Sequence, residues 1–369
     1  MKTVYLGMSG GVDSSVSAVL LKEAGYRVVG VYMKNWSRDL PGMKCPWADD
    51  LSDAKRVATK LGIDFEVFDF EKEYKQKVVD YMLDEFKKGN TPNPDVMCNE
   101  EIKFKLFYDI AMSKGADMIA TGHYAQITDG ELARAVDENK DQTYFLYRIS
   151  QDAIEHTIFP IGHMLKPDVK KFAEEHGLAN AYKKESMGVC FVGEVGMKDF
   201  LKTYLEESGE AGIYIRPGEI KDADTGEVLG MHDGAIFVTL GQRHGLDVGG
   251  GLPYYVTGKD MAKNEVYVSK DLNSKDLWTN EIKIRDGFFR LGPIDTDTLN
   301  GMPVQVRLRH RAPLIPARIE LTCWKHGRLT HLKEVHATLK FDKPIKRPAP
   351  GQSAVIYDDE ICLGGGIVV

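Results

Sequence analysis

The sequence predicts an α/β protein: an N-terminal doubly wound parallel sheet followed by two small β-rich domains. Three observations carry this prediction. Through the first half, short apolar runs alternate with stretches of helical period, the pattern of successive βα units. Near Gly209 the character changes to short runs rich in β-branched and aromatic residues, punctuated by Gly and Pro. A chain of 369 residues is also too long for one core and asks for two or three domains. The expected domains span 1–208, 209–280 and 281–369.

Taken in order, Val4 to Met8 is a first strand, and Val12, Val16, Val19 and Leu20 fall on one face of the helix after it, which stops at Gly25. Val28 to Met33 is a second strand. Ala54, Val57, Ala58 and Leu61 share a helix face ending at Gly62, and Phe65 to Phe70 is a third strand. A long amphipathic helix runs through Tyr74, Val78, Tyr81 and Phe86, and another surrounds Ile102, Leu106 and Ile110. The strand Met118 to Thr121 leads into Gly122-His123. Helices are expected over Lys166 to His176 and Lys198 to Leu205. Beyond them, strands are expected over Ala235 to Leu240, Tyr254 to Thr257, Glu265 to Ser269 and Ala317 to Thr322, with a junction near Thr279 to Ile284. Parallel sheets bind ligands at the C-terminal ends of their strands, so Met33 and Gly122 face the same crevice as the first strand–helix turn.

Composition narrows the function classes. No apolar run approaches the ~20 residues of a membrane span, and the N-terminus lacks the basic-then-apolar layout of a secretory signal. The expected location is the cytoplasm, with no membrane partner. Five dispersed cysteines (Cys45, Cys98, Cys190, Cys323, Cys362) without a Cys-x-x-Cys pair argue against a disulfide framework and a zinc ribbon. The net charge of −7 hides an asymmetry. Residues 303–349 carry eleven Lys/Arg against three acids, a net +8, which leaves −15 for the rest. Arg307, Arg309, Arg311 and Arg318 belong to that segment and are candidate contacts for a phosphate backbone; the plainer alternative is a solvated basic barrel surface.

The strongest motif is Gly7-Met8-Ser9-Gly10-Gly11-Val12-Asp13-Ser14-Ser15, at the junction of the first strand and helix. Such a turn offers backbone N–H groups beside the positive end of a helix dipole, a seat for phosphate or pyrophosphate. Its two central glycines allow φ > 0 and close backbone approach. The spacing resembles the PP-loop of ATP pyrophosphatases, which split ATP into AMP and pyrophosphate while adenylating a substrate. It also satisfies Gly-x-Ser-x-Gly, which makes Ser9 a rival hydrolase nucleophile. A hydrolase elbow, however, normally follows several strands rather than the first.

Two cysteine segments follow. Asn93-Pro94-Asp95-Val96-Met97-Cys98-Asn99 reads as a proline-stiffened turn into the Ile102 helix, with Cys98 near a helix N-terminus, where thiolate is favoured, and Asp95 close enough for acid/base work. Ser186-Met187-Gly188-Val189-Cys190-Phe191-Val192 sets a second thiol in a Gly-flanked apolar context. Each alone reads as a buried core thiol. An adenylating loop together with two separate thiols points to sulfur transfer.

Over essentially its whole length the chain resembles the bacterial tRNA-specific 2-thiouridylases of the MnmA (TrmU) family. The resemblance rests on residues 7–15, on Thr91 to Asn99 with Ile102-Lys103-Phe104, and on Thr121-Gly122-His123-Tyr124. It continues through Lys140 to Leu146, Gly188 to Val192, Leu240 to Leu246, Pro350 to Val355 and Cys362 to Gly366. It implies ATP held by Gly7, Met8, Ser9, Gly10, Gly11, Val12, Asp13, Ser14, Met33 and Gly122. It implies that Asn93, Pro94 and Asp95 meet the target base, that Cys98 is the nucleophile and that Cys190 carries a persulfide. His123, Lys140, Asp141, Gln142, Arg309, His310 and Gln352 would contact tRNA. The sequence departs from the family pattern in small ways: Met187 stands where Thr is common, Val189 and Val192 where Ile is common, and His310 where an aromatic is frequent.

The implied partners are tRNA and a protein that relays persulfide sulfur. The implied cofactors are ATP and accompanying Mg2+, with no tightly bound metal. The implied chemistry is adenylation of uracil O2 of the anticodon wobble uridine, then sulfur transfer from Cys190 to give 2-thiouridine. Three other readings remain open on the residues: another PP-loop ligase, a serine hydrolase built on Ser9, and a non-catalytic RNA-binding module. An iron–sulfur cluster would have only Cys45 to join Cys98 and Cys190 as a third ligand.

Overall fold

Residues 1–39, 45–183, 196–246, 248–249, 253–290, 296–326 and 331–369 are described by the computed structural model. The Ser186 to Val192 segment, Cys190 included, lies outside them. The first unit opens with β1 (Thr3–Gly7), α1 (Val12–Glu23), β2 (Arg27–Lys34), α2 (Trp47–Leu61) and β3 (Asp64–Asp69). Val4, Tyr5 and Leu6 are all buried, as a strand covered on both faces requires. α3 (Glu71–Tyr74) continues through a π-helical turn (Lys75–Val79) into α4 (Asp80–Lys87). α5 (Pro94–Met97) continues through a longer π segment (Cys98–Leu106) into α6 (Phe107–Ser113). After β4 (Met118–Thr121) come the hairpin β5 (Gln126–Thr128) and β6 (Glu131–Ala133), then α7 (Thr143–Leu146), α8 (Gln151–Glu155) and β7 (Thr157–Ile158). The helices α9 (Lys166–Glu175), α10 (Met197–Glu207) and α11 (Ala211–Tyr214) complete the N-terminal half.

The first sheet is parallel with strand order β3-β2-β1-β4-β7. The order reverses between β1 and β4, so the crevice for a ligand opens beyond Gly7 and Thr121, which are register partners. The second sheet, β10-β11-β8-β9, is built from β8 (Gly218–Asp222), β9 (Val228–His232), β10 (Tyr255–Asp260) and β11 (Glu265–Ser269). The third uses β12 (Trp278–Arg290), β13 (Pro303–Arg307), β14 (Ile315–His326), β15 (His331–Lys346), β16 (Ser353–Asp358) and β17 (Ile361–Val368), and β12 pairs with β17 to close it into a barrel.

Three local expectations change. Asn93 to Asn99 is not a turn. Asn93 Oδ1 accepts from the Asp95 N–H at 3.2 Å, and Pro94 stands at the first helical position, so a cap and a preset φ start the helix at Pro94. Cys98 therefore stands about one turn inside the helix and is buried, beyond the first turn to which the dipole effect is confined. Ala235 to Leu240 is not a strand, because Ala235–Phe237 forms a 3-10 turn. The hairpin β5–β6, over which the sequence carried no expectation, joins the barrel sheet, Ala133 pairing with Ile361. Arg307, counted in the basic segment as a phosphate contact, is buried.

That burial is part of a joint between the first unit and the barrel. Arg307 Nη1 donates to Asp141 Oδ2 at 2.5 Å, with both side chains almost fully covered. Asp141 also accepts from Thr143 Oγ1 at 2.9 Å, and Thr143 Oγ1 lies 3.0 Å from the Tyr357 hydroxyl. Tyr144 donates to the Ser353 carbonyl at 3.0 Å, and the buried Arg290 guanidinium donates to the carbonyls of Tyr147, Ile149 and Cys362. All three units meet at Thr91. Its N–H donates to the Pro350 carbonyl at 2.7 Å, its carbonyl accepts from Gln352 Nε2 at 2.7 Å, and its hydroxyl donates to Thr239 Oγ1 at 3.3 Å.

Asp141→Ala strands the Arg307 cation in a dry site and should lower unfolding stability by about 3–5 kcal/mol. Asp64→Ala breaks the exposed pair with Arg27 (3.0 Å) and should cost less than about 1 kcal/mol. Urea titration of both variants checks the contrast, and equal losses would refute it.

Candidate functional site

The turn after β1 is shaped by two close approaches. Gly10 has φ +75°, and a Cβ there would lie 2.3 Å from the Asp50 carbonyl oxygen, so only glycine fits. A Cβ on Gly122, just after β4, would lie 2.7 Å from Ser14 N, which seats the end of β4 directly on the first turn of α1. Ser14 Oγ accepts from the Ser9 N–H at 3.3 Å and donates to the Gly11 carbonyl at 3.1 Å, bracing the turn. Above Gly11 the space is open: an added Cβ would meet only Ser9 Oγ, at 3.4 Å. The first-turn amides of α1 have no intrahelical acceptor. An open, glycine-lined row of donors at a helix N-terminus fits a polyphosphate. Met33 reaches the same place, its Cε 2.8 Å from where a Cβ on Gly7 would be.

Cationic and polar groups that the sequence reading assigned no role surround this turn. Lys166, buried at the start of α9, donates to both Asp13 carboxylate oxygens at 2.6 and 2.8 Å, and the Tyr124 hydroxyl donates to the same carboxylate at 3.0 Å. Asn180 Nδ2 donates to the Gly10 carbonyl (2.9 Å) and to Ser15 Oγ (2.8 Å). Lys183 bridges Asp50 at 2.8 Å and Asp53 at 2.6 Å beside Gly10. Each pairing joins residues more than a hundred positions apart, Asp13 with Lys166 for example, and no local spacing announces it. Ser9 Oγ has Ser14 Oγ as its neighbour at 3.5 Å, and among the described residues no imidazole hydrogen-bonds it, so no hydrolase triad is assembled there.

The second half of the site comes from the Pro94–Ser113 helix. Asp95 is partly covered, and loss of water raises its carboxyl above the usual carboxylate range while the Lys103 ammonium pulls it back. Lys103 Nζ lies 3.4 Å from His123 Nε2, and His123 Nδ1 lies 2.8 Å from Thr121 Oγ1. His123 is enclosed between the Phe104 and Phe159 rings, with centroids at 5.9 and 6.3 Å. Burial and then the Lys103 charge push its pKa well below the ordinary value, so the ring is neutral. Lys103 is a further residue without an assigned role, although it lies inside the Ile102-Lys103-Phe104 motif. The π segment accounts for its placement. In an α-helix Lys103 would stand about 140° around the axis from Cys98. Bonding from i to i+5 brings the two back toward one face.

The residues expected to meet RNA divide into two groups. Arg309 and Arg311 are exposed on the barrel, and His310 is half-buried against Phe145, with ring centroids 4.6 Å apart. Burial, with Arg311 beside it, lowers the His310 pKa to about 4. Asp141 turns inward onto Arg307, Gln142 Oε1 accepts from the Tyr124 N–H at 2.8 Å, and Gln352 holds Thr91. These three side chains make contacts within the protein. Lys140 is half-buried on the same segment. Cys45, Cys98 and Cys362 are buried, and among the described residues no three His, Cys, Asp or Glu side chains gather as metal ligands. Cys190, the third thiol a cluster would need, is outside that set. No helix is long and apolar enough to cross a membrane among the described residues.

Family models match three consecutive stretches: a tRNA methyl transferase HUP domain over 2–194, a tRNA methyl transferase PRC-barrel domain over 198–270 and an aminomethyltransferase beta-barrel domain over 294–368. Similar curated proteins include the tRNA-specific 2-thiouridylases MnmA of Lactiplantibacillus plantarum, 44% identical over 99% of this chain and 94% of that protein, and of Pseudomonas fluorescens, 45% identical over 100% and 94%. The one of Lysinibacillus sphaericus is 44% identical over 99% and 93%. The domain descriptions speak of methyl transfer and the relatives of thiolation; the relatives match end to end at high identity and decide the family. Among solved structures, a 4-thiouridine synthetase–RNA complex with bound ATP aligns over 57% of this chain and 53% of its own at 16% identity and TM-score 0.37, too distant for anything to be taken from it.

The neutral, buried His123 has a consequence for stability. An unfolded histidine titrates near ~6.5, so below that pH the unfolded chain binds a proton that the folded chain refuses. Stability contributed by this group is present above about pH 6.5 and is lost as pH falls, by at most about 2 kcal/mol at pH 5. His123→Gln should flatten the fall between pH 7 and pH 5 in urea titrations. An unchanged pH slope would contradict the neutral assignment.

Proposed function

The chain belongs to the tRNA-specific 2-thiouridylase family, and on that premise we propose that it replaces O2 of the anticodon wobble uridine of tRNA by sulfur, at the expense of ATP. One observation carries this reading: the two motif-bearing halves converge on one crevice. Gly122 is seated on the first turn of α1, and the next residue, His123, touches Lys103 on the helix that bears Asp95 and Cys98. An activated oxygen and an incoming sulfur must reach the same carbon, and a crevice shared by the phosphate turn and the Cys98 helix supports that reading.

Uracil O2 is a poor leaving group until it is esterified. The turn from Gly7 to Ser14, with Met33 and Gly122, holds ATP so that O2 attacks the α-phosphorus and pyrophosphate departs along the N-terminus of α1. Mg2+ accompanying ATP would neutralise phosphate charge, and Asp13 and Ser14 are the residues that would hold it. Asn93, Pro94 and Asp95 meet the base, which leaves the loose anticodon stack at modest cost. Asp95, raised in pKa by its partial burial, takes the N3 proton.

Cys190 carries the sulfur delivered by a relay protein as a persulfide. Its terminal sulfur attacks C2, the bond from C2 to the adenylated oxygen breaks, and AMP leaves. Cys98 thiolate then attacks Cys190 Sγ, which frees 2-thiouridine and leaves a Cys98–Cys190 disulfide for reduction before the next cycle. Release of hydrosulfide by Cys98 before attack on C2 gives the same products. The exposed Arg309 and Arg311, with His310 and Lys140 near them, form the face toward RNA.

The test is incubation with ATP, a persulfide donor and tRNA unmodified at the wobble position, reading thiolated uridine and AMP together. Wild type should form both. Cys190→Ser should yield no thiolated product and no persulfide label, whereas Cys98→Ser should keep some label on Cys190 but fail to turn over. Full activity in Cys190→Ser ends the sulfur scheme. Asp13→Ala should abolish AMP formation with tRNA affinity nearly intact.

The basic face has a separate signature. Arg309→Ala and Arg311→Ala should each weaken tRNA binding and flatten the slope of log affinity against log salt by roughly 0.7–0.9. Arg307→Ala should act through stability, because that side chain is buried. An unchanged salt slope in both exposed variants would mean the stripe is only a solvated surface.

A further inference from the structure

Lys103 is a half-buried cation whose close neighbour carries no charge. Among the described residues its ammonium forms no ion pair, although most other lysines around the crevice do: Lys166 pairs with Asp13, Lys183 with Asp50 and Asp53, Lys34 with Glu71. Its nearest polar contact is His123 Nε2 at 3.4 Å, on a ring that is neutral. Asp95 is close enough to feel the charge but is not in contact. A partly desolvated ammonium without a counter-ion is costly unless an anion arrives to share the site. Its location says which anion. His123 follows Gly122, which rests on the backbone of Asp13 and Ser14 at the phosphate end of the crevice. Asp95 is in the segment that meets the base. Lys103 thus stands between the nucleotide and the uracil, where the α-phosphoryl group must lie when O2 attacks it.

We propose that Lys103 is a catalytic residue of the adenylation step, its ammonium facing the non-bridging oxygens of the α-phosphoryl group during transfer. The inference rests on the ATP-dependent reading above. The new O2–P bond forms while the P–O bond to pyrophosphate breaks, the electron pair leaving with pyrophosphate and the N3 proton passing to Asp95. Negative charge on the equatorial oxygens is met by a cation already in place, held by the π segment on one side and by the neutral His123 on the other. A neutral imidazole suits this role, since a second cation at 3.4 Å would repel the ammonium.

The experiment compares wild type, Lys103→Met, which keeps much of the stem and removes the charge, and Lys103→Arg. Single-turnover pyrophosphate release from γ-labelled ATP with unmodified tRNA, the product of the adenylation step itself, should fall about 10²–10³-fold in Lys103→Met. Lys103→Arg should recover part of the rate. The dissociation constants for ATP and tRNA should stay within about threefold of wild type, since the contact matters mainly in the transition state. Persulfide labelling of Cys190 should be unchanged. Wild-type pyrophosphate release in Lys103→Met overturns the proposal. So does a loss confined to tRNA affinity. If wild type itself releases no pyrophosphate from ATP with tRNA, the adenylation reading fails, a result distinct from an active wild type with an equally active Lys103→Met.

Discussion

The buried Asp141–Arg307 pair is the interaction on which the geometry of this molecule most depends. It is the charged centre of a dry joint in which Thr143, Tyr144 and Tyr147 of the first unit meet Ser353 and Tyr357 of the barrel. A buried pair of this kind contributes little net stability compared with apolar packing, but it accepts one arrangement only, because misplacing either partner leaves a bare charge in a dry site. The barrel face bearing Arg309 and Arg311 is thereby held at a fixed position relative to the crevice. A nucleic acid lying across the barrel would present its bases to the crevice without any further search by the domains.

Thr91 adds a second constraint nearer the chemistry. With its N–H, carbonyl and hydroxyl bound by Pro350, Gln352 and Thr239, the chain entering the Asn93 cap cannot shift without disturbing all three units. The cap in turn sets where α5 starts, and so fixes the rotational phase of Asp95, Cys98 and Lys103. Rigid supports of this sort let a site on a helix hold its groups to a fraction of an ångström, which a loop does not.

Much of this was legible in the residues, and the parts that were not share a physical reason. Met118 to Thr121 and Glu265 to Ser269 are strands at the expected bounds, because local period and β-branched content suffice where a strand is buried. The Gly7 to Ser15 turn is legible because glycine and a helix start are local features. The early start of the Pro94 helix was hidden by its prolines, which read as breakers although one of them occupies the position where proline is welcome. The π segment has no compositional signature. Arg307 carries charge in the sequence, but the side it faces is decided by a carboxylate 166 positions away. Lys166 and Asn180 were invisible as site residues for the same reason: their partners are fixed by topology and not by spacing.

The order in which the chain is made gives the joint a temporal meaning. The β5–β6 hairpin and the segment from Asp141 to Ile149 emerge early, yet their partners Arg307, Ser353, Tyr357 and Ile361 lie near the end of the chain. At ribosomal speeds of about 5–20 residues per second, the roughly 200 residues between them take on the order of 10–40 s to appear. For that interval the nascent protein exposes an unpaired strand edge and a carboxylate destined for a dry interior, both invitations to wrong partners. Completion of the last two strands is thus the event that seals the joint, and a ribosome that stops short of Ile361 leaves a product with the β5–β6 hairpin and the Asp141 segment still uncovered.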